Sequence, residues 1–388
     1  MNRCVICDGK LEHIHTPKKS NIGLQILICK VCGFVQSKKN LDDSFFQNKK
    51  NKESNKIQYL SCDSDYSEGR VGKQQMLNDA KNIIQKNKSL LTKNPCVLDM
   101  STARGHFIEY ISQYSPKEIV GFEQDKYMVN SYKDVENFNI LNIDYRDYKE
   151  NKIFDLIYSC HTLEHYSNPI QYFEFIVNHL HKDGLLLLDI PNLDMLNTGL
   201  ALDDFFYDKH RTYFEKRILK YIFSLFSMEI IDEIESRSTL VFLVKKVLKT
   251  KKPKLPDSNY DFNKLNINKY LKNLNKNRKK SRNVVKLINE EISTKQNKKI
   301  IFYGAGRLFD ALIKYGNLPI KDIDCLIDNH LSTATDQIHG IKLYNENLLD
   351  KIDDGTIFIC AKSSSNEIYD NLTKKHINLK IIKIDEYF

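Results

Sequence analysis

No stretch of the 388-residue chain approaches the roughly 20 consecutive apolar residues that span a bilayer, and Met1 to Lys10 holds no apolar segment of the secretory kind. These absences predict a cytoplasmic protein with no membrane partner. Glycine and proline are scarce, at 14 and 8 residues, which excludes collagen and the Pro/Gly-rich low-complexity chains. No segment recurs at a fixed period, which excludes solenoids. What is present, 41% hydrophobic and 28% charged residues, is the composition of a folded globular chain. At roughly 150 residues per domain, the length predicts two or three domains.

The formal charge of +9 is local in origin. Between Lys245 and Lys299 stand 18 Lys and Arg against 4 Asp and Glu, which leaves 41 basic against 46 acidic residues elsewhere. This segment begins Lys- and Pro-rich, then becomes helical. Ile267, Leu271, Leu274, Val285, Ile288 and Ile292 fall on one helical stripe. Only Tyr260, Phe262 and Tyr270 in this segment are aromatic, too few to be interleaved as a base-stacking platform, so the reading is a connecting helix with a solvated basic face, and nucleic acid is not an expected partner.

Nine cysteines without a secretory signal point to metal ligands and core thiols rather than disulfides. Cys4-Val-Ile-Cys7 and Cys29-Lys-Val-Cys32 are two C-x2-C knuckles. Four thiolates complete a tetrahedral zinc shell and leave no open position, so the site is expected to be structural. His13 and His15 lie between the knuckles as alternative ligands. A segment this short needs the metal for its folding energy.

From Pro95 to about Val247, apolar strands alternate with helical segments, the pattern of an α/β sheet with crossovers. Strands are expected at Cys96–Asp99, Glu118–Glu123, Phe154–Cys160 and Leu185–Ile190, followed by an antiparallel pair at Met228–Ile234 and Thr239–Val247. Ligands of such sheets bind beyond the carboxyl ends of the strands. Val97-Leu98-Asp99 before a small-residue turn, Glu123 closing the second strand, Asp144-Tyr145, Phe154-Asp155, Thr162-Leu-Glu-His165 and the run from Gly184 to Asn192 together resemble the class I S-adenosylmethionine-dependent methyltransferases. The resemblance implies a cofactor site of Asp99, Ser101, Ala103, Gly105, Glu123, Asp144, Tyr145 and His161. In it Glu123 would take the ribose diol and Asp144 would face the adenine amino group. The family's glycine-rich turn keeps only Gly105 here; Ser101 and Ala103 carry a Cβ, so a positive φ at either would be strained.

The cysteine-rich start, the central methyltransferase pattern and a Rossmann-like end together resemble the sugar C-methyltransferases that act on nucleotide-linked keto-deoxysugars. Cys29-Lys-Val-Cys32-Gly-Phe-Val-Gln36 and Phe206-Tyr207-Asp208-Lys209-His210-Arg-Thr-Tyr213-Phe214 carry this likeness. Asp208 and Lys209 stand where that family has His and Glu. The resemblance implies His210 as the base that forms an enolate, Tyr207 as donor to the enolate oxygen, and a further tyrosine, for which Tyr66 is chosen over Tyr59. Lys209 and Tyr213 are placed on the substrate. At the C-terminus, Ile300–Tyr303, the turn Gly304-Ala-Gly306, a helix from Leu308 and a strand ending at Asp328 start a dinucleotide-type fold. Gly304, Gly306 and Asp328 are assigned to the nucleotide-sugar.

The expected fold is therefore α/β: a zinc module (1–40), a lead-in with a helix (41–94), a doubly wound class I methyltransferase sheet (95–248), a basic linker with an amphipathic helix (249–298) and a Rossmann-like substrate domain (299–388). S-adenosylmethionine and structural zinc are the expected cofactors, and a nucleotide-sugar is the expected partner. Carbon methylation leads, with a sugar O-methyltransferase, a zinc-containing RNA methyltransferase and a non-catalytic nucleotide-sugar-binding protein as alternatives.

Overall fold

A computed structural model of the chain describes residues 3–18, 20, 22–38, 71–103, 105–124, 129, 138–197, 205–236, 239–247, 253–294, 298–329, 331–333, 335–361 and 364–388. Tyr59, Cys62 and Tyr66 lie outside them. Two compact units are present. The first holds the described residues up to Ser37 and its neighbour, then those of 71–197 and Phe206–Ile267, while the second holds Phe205 and the described residues of Asn268–Phe388.

In the first unit, β1 (Leu11–His15), β2 (Ile26–Cys29) and β3 (Val35–Ser37) form an antiparallel sheet beside the cysteine pairs. Helix α1 (Val71–Lys86) leads into β4 (Cys96–Asp99), α2 (His106–Ser112), β5 (Glu118–Phe122), β6 (Phe138–Leu141), β7 (Phe154–Cys160), α3 (Pro169–His179) and β8 (Leu180–Pro191). Then come the two-residue strand β9 (Thr212–Tyr213), α4 (Lys216–Leu225) and the hairpin of β10 (Met228–Glu235) and β11 (Thr239–Lys246). Asn168 starts α3 by accepting from the Gln171 amide at 3.3 Å, with Pro169 at the first helical position, where a missing amide proton costs nothing.

The seven central strands are ordered β10-β11-β8-β7-β4-β5-β6. Strands β4 to β8 are parallel to one another and the terminal pair β10 and β11 runs antiparallel, as the sequence predicts. Both faces are covered. Leu98, Val120, Ile157, Leu186 and Leu188 enter one apolar core, and Val97, Ile119, Leu156, Leu185 and Leu187 enter the other. That two-sided burial explains why these strands read as continuous apolar runs. Strand β4 is where the winding reverses, with β5 on one side and β7 on the other. The carboxyl edge there is the switch point of the sheet.

Strand β9 pairs not with this sheet but with β3, through Val35↔Tyr213 and Gln36↔Thr212. The amide of Ser37 adds a bond to the Arg211 carbonyl at 2.7 Å. The cysteine-bearing sheet thus takes its fourth strand from the segment that carries Tyr207 and His210. Further ties come from the Arg217 guanidinium to the Cys32 carbonyl at 2.7 Å and from the Asn263 amide to the Gly33 carbonyl at 3.0 Å.

Helix α5 (Tyr260–Ser293) starts in the first unit and runs on into the second. Of its expected stripe, Ile267, Leu274, Val285 and Ile288 are buried. The second unit has β12 (Lys299–Tyr303), α6 (Arg307–Gly316), β13 (Cys325–Ile327), β14 (Gln337–Ile338), β15 (Ile341–Tyr344), β16 (Gly355–Ile359), α7 (Ser365–Lys375) and β17 (Leu379–Lys383). The order is β14-β15-β13-β12-β16-β17, parallel except for β14. Its central strand β12 is again a switch point, followed at once by the Gly304-Ala305-Gly306 turn. No helix among the described residues is long and apolar enough to cross a membrane.

Candidate functional site

The carboxyl edge of the central sheet gathers one candidate from each parallel strand. Asp99 ends β4, Glu123 follows β5, Asp144 follows β6, His161 follows β7, and Asp189 lies near the end of β8. The turn after β4 has two left-handed residues, Ala103 at φ 45° and Gly105 at φ 69°. The Gly105 amide closes the turn on the Thr102 carbonyl at 2.8 Å, and Gly105 precedes α2. Glu123 reaches back to accept the Ala103 amide at 2.8 Å, which anchors the strained residue. The Ser101 amide donates to Asp99 at 3.3 Å. Gly121 makes room for this turn, since a Cβ there would run into the Thr102 hydroxyl.

Asp144 is buried and takes five donors: the Arg146 amide, Nε and Nη2 at 2.8 to 3.0 Å, the Gln124 amide at 2.9 Å and the Tyr166 hydroxyl at 3.1 Å. The neighbouring Tyr145 is also buried, packed edge-on against Tyr166, Tyr172 and Phe175.

Three carboxyls at this edge are deeply buried. Burial pushes Asp99 and Asp189 each up to about 7 and Glu164 up to about 8. Glu164 lies in the single 3-10 turn Leu163–His165, is 2% exposed, and neither of its oxygens receives a hydrogen bond among the described residues. Its neighbours are imidazoles, with His161 Nδ1 at 3.5 Å and His210 Nε2 at 3.8 Å from the same oxygen. His161 has φ 47° and sits 3.8 Å from Asp189 as well. The sequence motif Thr162-Leu-Glu-His165 contains Glu164, but its spacing gives it no role; only the turn shows what it faces.

His210 is 5% exposed. The Tyr207 hydroxyl is 2.5 Å from its Nε2, and the rings are 4.2 Å apart. The His165 ring lies 5.1 Å from that of His210 and uses Nδ1 on the Lys209 carbonyl at 2.9 Å. Burial first, then the His165 and His161 rings, push the His210 imidazole well below its usual value. It is neutral at pH 7. Tyr213 is buried and spends its hydroxyl on the His210 carbonyl at 3.3 Å. The Asp208 carboxylate accepts from the Ser20 hydroxyl at 2.5 Å.

The four knuckle cysteines come together. Their sulfurs lie within 4.8 Å of one another, with Cys4–Cys32 at 3.7 Å and Cys7–Cys29 at 3.5 Å. The Ile6 and Val31 amides point at the Cys4 and Cys29 sulfurs, each at 3.4 Å, an arrangement that favours thiolates. Hydrogen bonding to Cys29, with burial, pushes the Cys4 thiol up to about 12, and hydrogen bonding from its neighbours holds Cys29 low. One cation would relieve that conflict for all four. Gly9 leaves the space the cluster needs, because a Cβ there would lie 2.7 Å from the Cys29 sulfur. His13 instead bonds Thr16 at 2.9 Å and His15 packs on Phe206.

In the second unit Gly304 has φ 95°, and a Cβ on it would lie 2.9 Å from the Ala361 amide nitrogen. Asp328 accepts the Ala305 amide at 3.1 Å and the Leu331 amide at 3.0 Å. Gly306 precedes α6.

Residues 73–232 match the family model described as a methyltransferase domain. No curated protein matches the chain. Among solved structures, an S-adenosylmethionine-dependent methyltransferase from Clostridium acetobutylicum ATCC 824 is similar at 16% identity, covering 43% of this chain and 90% of that one, with a TM-score of 0.38. The plantazolicin methyltransferase BpumL in complex with SAH is similar at 16% identity over 53% of this chain and 93% of that one, TM-score 0.43. The Burkholderia thailandensis 1,6-didemethyltoxoflavin-N1-methyltransferase is similar at 14% identity over 60% of this chain and 100% of that one, TM-score 0.39.

Proposed function

We propose that this S-adenosylmethionine-dependent methyltransferase of the class I fold methylates a carbon atom of a nucleotide-activated keto-deoxysugar, next to the carbonyl. The observation that carries the reading is the Tyr207–His210 pair, a neutral imidazole bonded to a partly exposed phenol. Carbon methylation needs a proton removed beside a carbonyl, and such a pair suits that task near neutral pH. The cysteine-rich segment supports the same reading, since it accompanies the catalytic fold in the sugar C-methyltransferases that the sequence resembles.

On this reading the Met100–Gly105 turn and Glu123 hold the methionine part and ribose of the cofactor, with Asp99 and Ser101 supporting the turn. Asp144, tied to Arg146, Gln124 and Tyr166, shapes the adenine side, and Tyr145 packs beneath it. His161 borders the methyl end. The cofactor supplies an electrophilic methyl group on a sulfonium. Lys209 and Tyr213 belong to the sugar side, and Gly304, Gly306 and Asp328 take the nucleotide. Tyr66 is retained as a further tyrosine from the segment outside the described residues. The four cysteines hold one zinc ion with no position left for a catalytic water.

A panel of thymidine and uridine diphosphate sugars, keto and saturated, with methyl-labelled cofactor tests the proposal. Label is expected in a keto-deoxysugar, together with solvent deuterium uptake at the carbon beside its carbonyl. Methyl transfer to a saturated sugar with no deuterium uptake would replace it with oxygen methylation.

A further inference from the structure

Helix α5 carries the basic segment of the chain, and within the second unit its charge is sorted by face. On one side Leu274, Ser281, Val284, Val285 and Ile288 are buried. The end of α6 comes so close to this side that a Cβ on Gly316 would run into Val285 and the Ser281 carbonyl. The cations on its flank have partners: Arg278 lies over the Tyr315 ring at 4.4 Å, and Lys280 donates to the Phe388 carbonyl. These contacts fasten the helix to its unit along one side.

The other side is open and of one sign. Lys269, Lys272, Lys276, Lys279, Arg282 and Lys286 are all exposed. They recur every three or four residues, which sets them within an arc of about 140° along about 26 Å of helix. No Asp or Glu stands between Asp261 and Glu290 to balance them. Among the described residues none of the six has a hydrogen bond, an ion pair or a ring contact. Like charges three and four positions apart on a helix destabilise it, and an anionic partner would remove that cost. Leu287, 47% exposed, lies in the same arc.

We propose that this face of α5 docks on a membrane surface of anionic lipids, with the helix axis lying in the plane of the headgroups. The lack of an apolar span bars crossing a bilayer, whereas lying on one needs only charge and a little apolar surface. Three features choose lipid over other polyanions. Five of the six cations are lysines, point charges that suit a fluid layer of headgroups, with little of the planar guanidinium that grips fixed phosphates in pairs. The aromatic residue that falls among them, Tyr270, is buried and offers no ring to a base. An acidic protein partner would bury an apolar centre, and every exposed position from Lys269 to Lys286 is Lys, Arg or Asn. The attraction acts over a Debye length, about 10 Å at 0.1 M salt and about 3 Å at 1 M, so docking is reversible and salt-sensitive. It does not depend on the sugar chemistry proposed above.

The test is cosedimentation of the full chain with phosphatidylcholine vesicles, either pure or carrying phosphatidylserine, in 0.1 and 1 M sodium chloride. Binding is expected to the serine-containing vesicles at low salt alone. The exposed triple variant Lys272→Gln, Lys276→Gln, Lys279→Gln is expected to bind about 100-fold more weakly, about fivefold per cation, at roughly 1 kcal/mol for each lysine near an anionic surface. Lys182, Lys321 and Lys351 are also exposed, and changing these three to Gln removes the same charge from elsewhere. That control should bind vesicles as wild type does. Both variants should keep wild-type S-adenosylhomocysteine binding by calorimetry. A control that loses as much vesicle binding as the helix variant would overturn the proposal, since net charge alone would then act. So would equal binding to the neutral vesicles, or vesicle binding that the helix variant retains. Binding of a duplex RNA that the helix variant loses, with no binding to either vesicle, would replace lipid with a nucleic-acid backbone.

Discussion

Replacing Glu164 with glutamine isolates the cost of a buried carboxyl with almost no change of shape. The wild-type group lacks hydrogen-bond donors among the described residues and is held at about 8 by burial, against an ordinary value of 4.5. Below about pH 4 the folded and unfolded chains both carry this proton, and the group adds no pH dependence. Between about pH 4 and 8 the unfolded chain releases it and the folded chain keeps it, so the folded state binds more protons and stability falls as pH rises. At roughly 1.4 kcal/mol per pKa unit, and allowing for relaxation around the charge, about 2 to 5 kcal/mol is lost over that range. The amide that replaces the carboxyl does not titrate. Asp99 and Asp189 stay in both proteins and largely cancel in the difference. Urea unfolding by far-ultraviolet circular dichroism at pH 5, 6, 7 and 8, following the transition that S-adenosylhomocysteine shifts, reads it out; the chain has no tryptophan for fluorescence. Glu164→Gln is expected to gain about 2 to 3.5 kcal/mol on wild type between pH 5 and 8. A difference that does not vary with pH would mean the carboxylate is ionised throughout, paired with charged His161 or His210, and would refute the reasoning.

Metal analysis of the native protein is expected to find one zinc per chain, lost in Cys32→Ser; finding none would remove the metal. Chelation is expected to slow α-deuterium exchange more than it weakens cofactor binding, because β3 holds β9 two residues from His210. Glu123→Ala should weaken S-adenosylmethionine binding by about 1.5 to 3 kcal/mol by calorimetry, the usual worth of hydrogen bonds to a charged group; wild-type affinity would displace the ribose from this residue. Ala103→Gly should leave that affinity intact or raise it, since φ 45° is easier for glycine.

The sequence is most informative where a local pattern is sufficient. Cys96-Val-Leu-Asp99 and Phe154–Cys160 coincide with β4 and β7, because a strand buried on both faces must be an unbroken apolar run. The C-x2-C pairs lead to the four-sulfur cluster because the tight turn within each pair brings its two sulfurs together. A strain at Ala103 is legible too, from a Cβ in a glycine position. What escapes is whatever depends on remote pairing. Strand β6, Phe138–Leu141, lies at the sheet edge, is half exposed and carries little pattern. Thr212-Tyr213 is too short to signal a strand, and its partner is Val35–Gln36. Glu164 reads as an ordinary polar residue of a turn, and only the return of Arg211 over it makes it a buried carboxyl beside two histidines.

The β3–β9 pairing also constrains how the chain comes to be assembled. The cysteine segment leaves the ribosome before β9 does, and its four sulfurs can gather while the residues beyond 210 are still unmade. Its sheet then presents an open edge at β3 until residues beyond 210 emerge, an exposed template for wrong partners. A contact between strands so far apart in sequence is slow to form, since a long loop must close first. The segment bearing Tyr207 and His210 is therefore set in place late, and a nascent chain released before that point would have its four cysteines gathered with this pair still unplaced.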